Sequence, residues 1–492
     1  MIPEYLFDLC KTIKDSGYES YLVGGSVRNI LLNVQPKDFD ITTNALPDEI
    51  AKIFPKSILT GAKFGTVTVL YEDKNSIQHS VEITTYRLEK EYFGGRWPTE
   101  VSFTRNLEDD LKRRDFTVNA FALDLNKICF ENQDIKSIKS NLIDLFEGLD
   151  DLQNKIIRAV GNPIDRFRED GLRSLRACRL VSVYGFEIEE KTFEAMKETC
   201  EVAAQISMER ARDEFVKLIL NSPKPSLGIE LMRKAGLLKL YIPELLEGYS
   251  IEQNKYHVHD IYQHALDTVD VAPSEVRLAA LFHDIGKART KEGEHFYGHD
   301  RVGAQMTREI MKRLKFSNKE IEDTVNLVRW HMFYVPNQAK TVSGKDIELS
   351  FGDKSFSQRL LKEKEERIKK FKEGWSDNAV RRLIIRVGGH EQIDKLIKLR
   401  IADAVANPKA SFDPSDIQLL ASKIAEIREK ESLLSIKDLK ISGHDLKELG
   451  IPEGPEMKKI LEELLEIVID DIELNTKESL MQNASRIWHK ML

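Results

Sequence analysis

The stretch Tyr21–Thr42, YLVGGSVRNILLNVQPKDFDIT, constrains this chain more than any other. It opens on an apolar run, Tyr21-Leu22-Val23, that reads as a buried strand. Gly24 and Gly25 follow, then Ser26 and a helical segment through Val27, Ile30 and Leu31. Glycines between a strand and a helix let backbone amides approach an anion, and the helix start adds favourable partial charge. Lys37-Asp38-Phe39-Asp40-Ile41 then alternates. That pattern predicts a strand with Asp38 and Asp40 on one face and Phe39 and Ile41 on the other. Two carboxylates about 6–7 Å apart, twice the rise per residue, can share a pair of divalent cations. Taken singly, the halves read as a tight turn and a solvated acidic face; in this order and this close, they support each other. The stretch lacks the Gly-Lys-Ser/Thr ending of a P-loop and the third glycine of a dinucleotide fold. What remains is equipment for phosphoryl or nucleotidyl transfer.

The 492 residues predict about three or four domains at roughly 150 residues each. No apolar run is long enough to span a bilayer, and Met1-Ile2-Pro3-Glu4 does not resemble a secretion signal, so no membrane partner is expected. Cys10, Cys129, Cys178 and Cys200 show neither pairing nor zinc spacing, which predicts a reducing, cytoplasmic location. A net charge of −7 excludes a uniformly basic nucleic-acid binder but leaves room for a local basic cleft.

Leu59–Tyr71 reads as turn and strand, and Ser80–Leu88 as a second alternating strand. In the latter Glu82 faces away from Val81 and Ile83, either towards the two aspartates, completing a two-metal site, or simply into solvent. Glu89–Glu100, with Gly94, Gly95 and Pro98, is expected to be a mobile loop. Asp109–Asp124 reads as a helix entry and a strand, with Arg113, Arg114, Asp115 and Asn119 close together. Arginine suits bidentate triphosphate binding, and carboxylate or amide groups suit ribose hydroxyls; the alternative is a surface ion-pair cluster. Asn141–Gly148 would close this first domain.

From Asn154 the pattern becomes helical. Ile164–Phe186 is predicted as one helix carrying Arg166, Arg168, Arg173, Arg176 and Arg179, with Leu172, Leu175, Ala177 and Leu180 as its apolar face. Spacing by three would put Asp170 and Arg173 on one side of it, an acceptor and donors suited to a base edge, each such contact giving about 1–3 kcal/mol of discrimination. The alternative is a local Glu169–Arg173 ion pair.

GGSVRN, DFDITT, RRDFTVNA and EDGLRSLRACRLVSVYGF, in this order, resemble the class II tRNA nucleotidyltransferase and bacterial poly(A) polymerase family over roughly residues 5–225. The resemblance implies an α+β fold: a DNA-polymerase-beta-like nucleotidyltransferase palm followed by all-helical neck, HD-type body and tail domains. By the same resemblance Gly24, Gly25 and Arg28 would hold an incoming triphosphate, and Asp38 and Asp40 two Mg²⁺ ions; Glu82, from the strand alternation, is the candidate third catalytic carboxylate. Arg113, Arg114, Asp115 and Asn119 would fix ribose and phosphates. Asp170 and Arg173 would pair with the base of CTP or ATP as a protein template, with Glu169 positioning Arg173 and Arg176 nearby in the nucleotide site. The family commonly has Arg-Asp where this chain has Arg28-Asn29, which removes a charge and argues against metal ligation there. Tyr92–Pro98 resembles the flexible loop of CCA-adding enzymes rather than the Leu-Leu-Arg-Asp-Asn type segment of the poly(A) branch.

Residues His257–Asp403 carry an independent signal: His264, RLAALFHDIGK with His283, Asp284 and Lys287, FYGHD with His299, VRWHM with His331, and Asp403. Histidines and carboxylates from several helices suit a divalent metal. The His-Asp pair before Ile-Gly-Lys resembles the HD phosphohydrolase superfamily. That implies His264, His283, Asp284 and Asp403 as core ligands, His299 and His331 at a second metal and Lys287 at a phosphate, while His257 and His259 read as structural. Leu361–Glu373 reads as a solvated mixed-charge helix, and Arg381, Arg382 and Arg386 as contacts for phosphates or acidic neighbours. The tail, Leu439–Leu446 through the 457–471 helix, resembles the tRNA-elbow cradle of the CCA-adding branch.

The expected layout is a palm (1–150), a neck (151–225), an HD domain (226–430) and a tail (431–492). The expected activity is CCA addition to tRNA from CTP and ATP, with phosphohydrolase activity in the HD domain. Two rivals stand beside it: an A-adding or poly(A) polymerase, and an HD hydrolase on a non-catalytic RNA-binding scaffold.

Overall fold

The computed structural model describes residues 2–93, 97–253, 258–333, 376–407, 414–430 and 436–491. The chain divides into two compact units, Met1–Leu246 with Arg313–Lys315, and Glu247–Lys312 with Phe316–Leu492.

The first unit begins with α1 (Glu4–Asp15), β1 (Ser20–Val23), α2 (Gly25–Leu31), β2 (Asp40–Thr43), α3 (Pro47–Ile53), β3 (Ser57–Ile58), β4 (Thr66–Glu72) and β5 (Gln78–Thr85). There follow β6 (Arg87–Phe93), β7 (Trp97–Phe103), α4 (Leu107–Lys112), β8 (Phe121–Leu123), α5 (Ile135–Ser140), β9 (Leu142–Asp144) and α6 (Gly148–Asn154). Seven of these strands form one sheet in the order β3-β4-β5-β2-β1-β8-β9. All neighbours are antiparallel except β2 and β5, which pair parallel with Asp40 opposite Glu82 and Ile41 opposite Ile83. The period of two sends Leu22, Ile41, Val67, Val69, Val81 and Ile83 into the core beneath Leu6, Leu9 and Ile13 of α1. Asp40 and Glu82 therefore share the opposite, open face.

Three expectations are corrected. The strand begins at Asp40, so Asp38 lies in the extended approach to β2 rather than within it. Glu89–Glu100 is not a loop: β6 and β7 form an antiparallel pair from Arg87↔Phe103 to Phe93↔Trp97, and residues 94–96 lie outside the described residues. Ile164–Phe186 is two helices, α7 (Pro163–Glu169) and α8 (Leu172–Tyr184). The helix breaks at Asp170, whose backbone is extended (φ −144°, ψ 104°), and Gly171 beside it packs against another segment, since a Cβ there would lie 2.8 Å from the backbone of Ala203. Only glycine permits that approach.

The second unit is mainly helical. Helices Ile261–Val271, Arg277–Phe282, Asn318–Trp330, Asp377–Val387 and His390–Ala406 surround its histidines. A Cβ on Gly286 would lie 2.3 Å from the carbonyl of His299 and 2.5 Å from the amide of Gly303, so this glycine lets the His-Asp turn close against the helix that starts at His299. At the C-terminal end, Pro455–Asp470 and Lys477–Met491 pack around Leu446, Ile460, Leu464 and Leu480. Arg382 and Arg386 meet an acidic neighbour, Glu466, at 2.9 and 3.2 Å. Leu361–Glu373 and His257 lie outside the described residues. Among the described residues no helix is long and apolar enough to cross a membrane.

Candidate functional site

Gly24 ends β1 with φ +76°, a conformation costly for any residue with a Cβ. A Cβ there would also stand 3.2 Å from Arg114 Nη1 and 3.7 Å from Asp40 Oδ2. The glycine turn, the arginine and the strand carboxylate thus converge on one small volume. Asp40 faces outward, yet partial desolvation raises its pKa; Arg114 opposes the shift, and the charges of Glu82 and Asp38 add to it. Asp40, pushed towards protonation by burial and by the charges of Glu82 and Asp38, is the centre of a carboxylate donor set that a divalent cation would relieve.

Asp110, on the last turn of α4, had drawn no reading of its own. It is fully buried and accepts from Arg113 Nε and Nη2 at 3.0 and 2.7 Å, from Arg114 Nη2 at 3.4 Å and from the Thr42 hydroxyl at 3.3 Å. Burial alone would raise its pKa; Arg113 and Arg114 outweigh that and hold it below the usual range. The signal was available, since Asp110 stands three and four residues before two adjacent arginines.

Asp115, 7% exposed, accepts at Oδ1 from the Phe116 amide and Asn119 Nδ2, and at Oδ2 from Arg176 Nη1 at 2.7 Å. Its carboxyl is held far below the ordinary range: burial works against ionisation, and Arg176 and Asn119 overcome it. Arg28 is buried and donates to Asn119 Oδ1, to Asn29 Oδ1 at 3.0 Å and to the Tyr184 hydroxyl at 2.6 Å. Arg173 is buried too, donating to Glu169 at 2.6 Å and to the carbonyls of Arg166 and Arg113 at 2.9 Å each. Five N–H groups on a guanidinium leave donors beyond these three bonds.

Asp170 does not share a helix face with Arg173. It caps the break between α7 and α8, accepting from the Leu172 amide at 3.0 Å and from Arg210 Nη2 at 3.2 Å. The neck arginines are locally matched: Arg158 pairs with Asp151 and Glu189, Arg166 with Glu169, Arg168 with Glu198 and Arg179 with Glu214.

In the second unit Asp284 is central. Its Oδ2 lies 3.7 Å from His264 Nε2, 3.2 Å from His283 Nε2 and 2.6 Å from Lys287 Nζ; its Oδ1 lies 3.5 and 3.6 Å from His299 and His331 Nε2. Asp403 Oδ1 stands 3.0 Å from His264 and 3.6 Å from His283. The Nδ1 atoms of His283, His299 and His331 engage the carbonyls of Ala280, Phe296 and Val328 at 2.7–2.8 Å. Those bonds fix the tautomers and aim each Nε2 inward, where all three are buried without a hydrogen-bond partner. Two metal-competent sets result, His264–His283–Asp284 and Asp284–His299–His331, sharing one aspartate. The residues fit a divalent metal. His259 stands apart, 3.7 Å from Asp267.

A mixed sheet with carboxylates beside a glycine turn, followed by helices whose arginines reach back to it, defines the α+β nucleotidyltransferase fold. Residues 20–158 match the poly A polymerase head domain and 185–248 the probable RNA and SrmB-binding site of polymerase A. Residues 256–407 match the HD domain and 410–484 a putative tRNA nucleotidyltransferase domain 2. A CCA-adding enzyme of Lactobacillus helveticus is 49% identical over 208 residues, 42% of this chain and 48% of its own length. One from Lactococcus lactis is 46% identical over 236 residues, 48% of this chain and 55% of its own length. The matched region thus spans about half the length of these relatives. The structure of a Bacillus stearothermophilus CCA-adding enzyme in complex with CTP superposes with a TM-score of 0.63 at 25% identity, covering 100% of both chains. A CCA-adding enzyme complexed with CTP gives 0.53 at 21%, covering 99% of this chain and 96% of its own. The four matches, in this order along the chain, are similar to the domain order of a class II tRNA nucleotidyltransferase or poly(A) polymerase that carries an HD domain.

Proposed function

We propose that this protein adds C, C and A to the 3′ ends of tRNA, taking CTP and ATP and releasing pyrophosphate. The observation that carries the reading is the pairing of Asp40 with Glu82 on the open face of the sheet, with Gly24 and Arg114 against Asp40. The terminal 3′ oxygen attacks the α-phosphorus, the bond to the bridging oxygen of pyrophosphate breaks, and the hydroxyl proton passes to solvent. Asp38, Asp40 and Glu82 would hold Mg²⁺, which when bound lowers the pKa of the 3′ hydroxyl and neutralises the leaving pyrophosphate. Gly24, Gly25 and Arg28 would seat the triphosphate, with Arg113, Arg114, Asp115 and Asn119 orienting phosphates and ribose. Asp170 and Arg173, with Glu169 and Arg176 behind them, would read the base.

The division of labour we propose is a palm over 1–150, a neck over 151–225, an HD domain over 226–430 and a tRNA-binding tail over 431–492, working in the cytoplasm. A second activity is supported by the three inward-facing Nε2 atoms: His264, His283, Asp284, His299, His331 and Asp403 would hold divalent metal for hydrolysis of 2′,3′-cyclic or 3′-phosphate ends.

Purified protein given tRNA lacking its 3′ end, with CTP and ATP singly and together, tests the reading. Products that stop at CCA are expected, and Asp38→Ala should abolish labelled incorporation while the protein stays folded. Runs of A would favour a poly(A) polymerase, growth only on tRNA already ending in CC an A-adding enzyme. Absence of any magnesium-dependent incorporation would leave an HD hydrolase on an RNA-binding scaffold.

A further inference from the structure

Arg28 is an unusual buried cation. Its hydrogen-bonding partners among the described residues are all neutral: Asn119 Oδ1, Asn29 Oδ1 and the Tyr184 hydroxyl. Asp115 attracts it at longer range and is hydrogen-bonded to Asn119 rather than to Arg28 itself. A buried guanidinium hydrogen-bonded only to neutral acceptors keeps a charge that burial disfavours and Asp115 only partly offsets, and that an incoming anion relieves. Gly25 leaves room for it, since a Cβ there would stand 3.2 Å from Arg28 Nη2.

Tyr184 holds this group in two ways. Its hydroxyl accepts from Arg28 Nη2 at 2.6 Å and donates to Asn29 Oδ1 at 2.8 Å, and its ring lies 4.4 Å from the guanidinium carbon. Asn29 closes the triangle by accepting from Arg28 Nε and Nη2 at 3.3 and 3.0 Å. Asn29, where the family commonly has Asp, thus turns its oxygen to Arg28 and Tyr184. Tyr184 is the last residue of α8, the helix that also sends Arg176 to Asp115.

We propose that Tyr184 is a positioning residue for the triphosphate seat, acting through Arg28 with Asn29 as its partner. This rests on reading the head as a nucleotidyltransferase. Because the contact is with a phosphate-binding cation rather than with a base, its effect is the same for every triphosphate.

The test measures equilibrium binding of CTP, ATP and inorganic tripolyphosphate, with magnesium, to the full-length protein and its variants. Tyr184→Phe keeps the ring and removes the hydroxyl. It should weaken all three ligands by about tenfold, the effect of one hydrogen bond to a charged group, with no change in thermal midpoint. Asn29→Ala should weaken them similarly, and the double variant should be no worse than either single one to within about twofold, since both act through one guanidinium. Unchanged binding in Tyr184→Phe, a change confined to one nucleotide, or simple multiplication of the two effects would overturn the proposal. Unaltered protein that binds tripolyphosphate but never extends RNA would sink the polymerase reading and leave this inference standing. Failure to bind any triphosphate would remove both.

Discussion

Asp110 turns two neighbouring arginines into one rigid unit. Both oxygens of its buried carboxyl are occupied, one by Arg113 and the other by Arg114 and Thr42. Asp110→Asn should cost about 3 kcal/mol at neutral pH, the size seen when one member of a buried ion pair is removed. It should also cut incorporation of both nucleotides, because Arg114 loses its hold beside Asp40. The pH dependence has a fixed sign. The folded-state pKa of Asp110 is depressed, so its contribution is complete above the ordinary value of about 3.9 and is lost as pH falls through the folded value. The deficit of the variant should therefore shrink in acid, which urea titrations at several pH values would measure. Single residues were legible when their chemistry was local. Gly24, Asp40 and His283-Asp284 announced themselves by neighbours in sequence. Tyr184 did not, because its partners, Arg28 and Asn29, lie far away in the chain and only the fold unites them.

At the scale of elements, periodicity served well until a close approach interrupted it. The alternation of Val81, Glu82 and Ile83 foretold the sides of β5. The apolar spacing of α8 was equally clear, but the break at Asp170 gave no warning in it, and the close approach of Gly171 to the backbone of Ala203 from another helix exists only in the fold. Gly94 and Gly95 suggested a loop, although the alternating residues around them pair as β6 and β7. Gly286 makes the same point in the second unit. Gly286→Ala would force the His-Asp turn away from His299 and Gly303, at about 1–3 kcal/mol for such overpacking. The expected outcome is reduced metal content in the HD domain with CTP and ATP incorporation retained. Elemental analysis beside the incorporation assay checks it.

For the whole molecule, two compact units imply two places where ligands add stability. The residues proposed to bind nucleotide lie in the first unit and the His-Asp residues in the second, so calorimetry should resolve ligand-specific shifts. A nucleoside triphosphate should raise the transition of one unit, and a divalent transition metal that of the other, by an amount set by ligand concentration over its dissociation constant. A single transition shifted equally by both would contradict that picture. The head and the His-Asp segment were legible because each carries a short, chemically demanding motif. The internal matching of the neck arginines was not, since Glu189, Glu198 and Glu214 come later in the chain and carry no motif of their own.

The lone parallel pairing in the sheet carries a last implication, for birth rather than work. Asp40 and Glu82 face each other only after β3 and β4 have turned back and β5 has slid in beside β2. Non-local pairings of this kind form late. On the function proposed above, a polypeptide emerging from the ribosome exposes its acidic residues well before they could grip an ion, and an unfinished head would be catalytically silent.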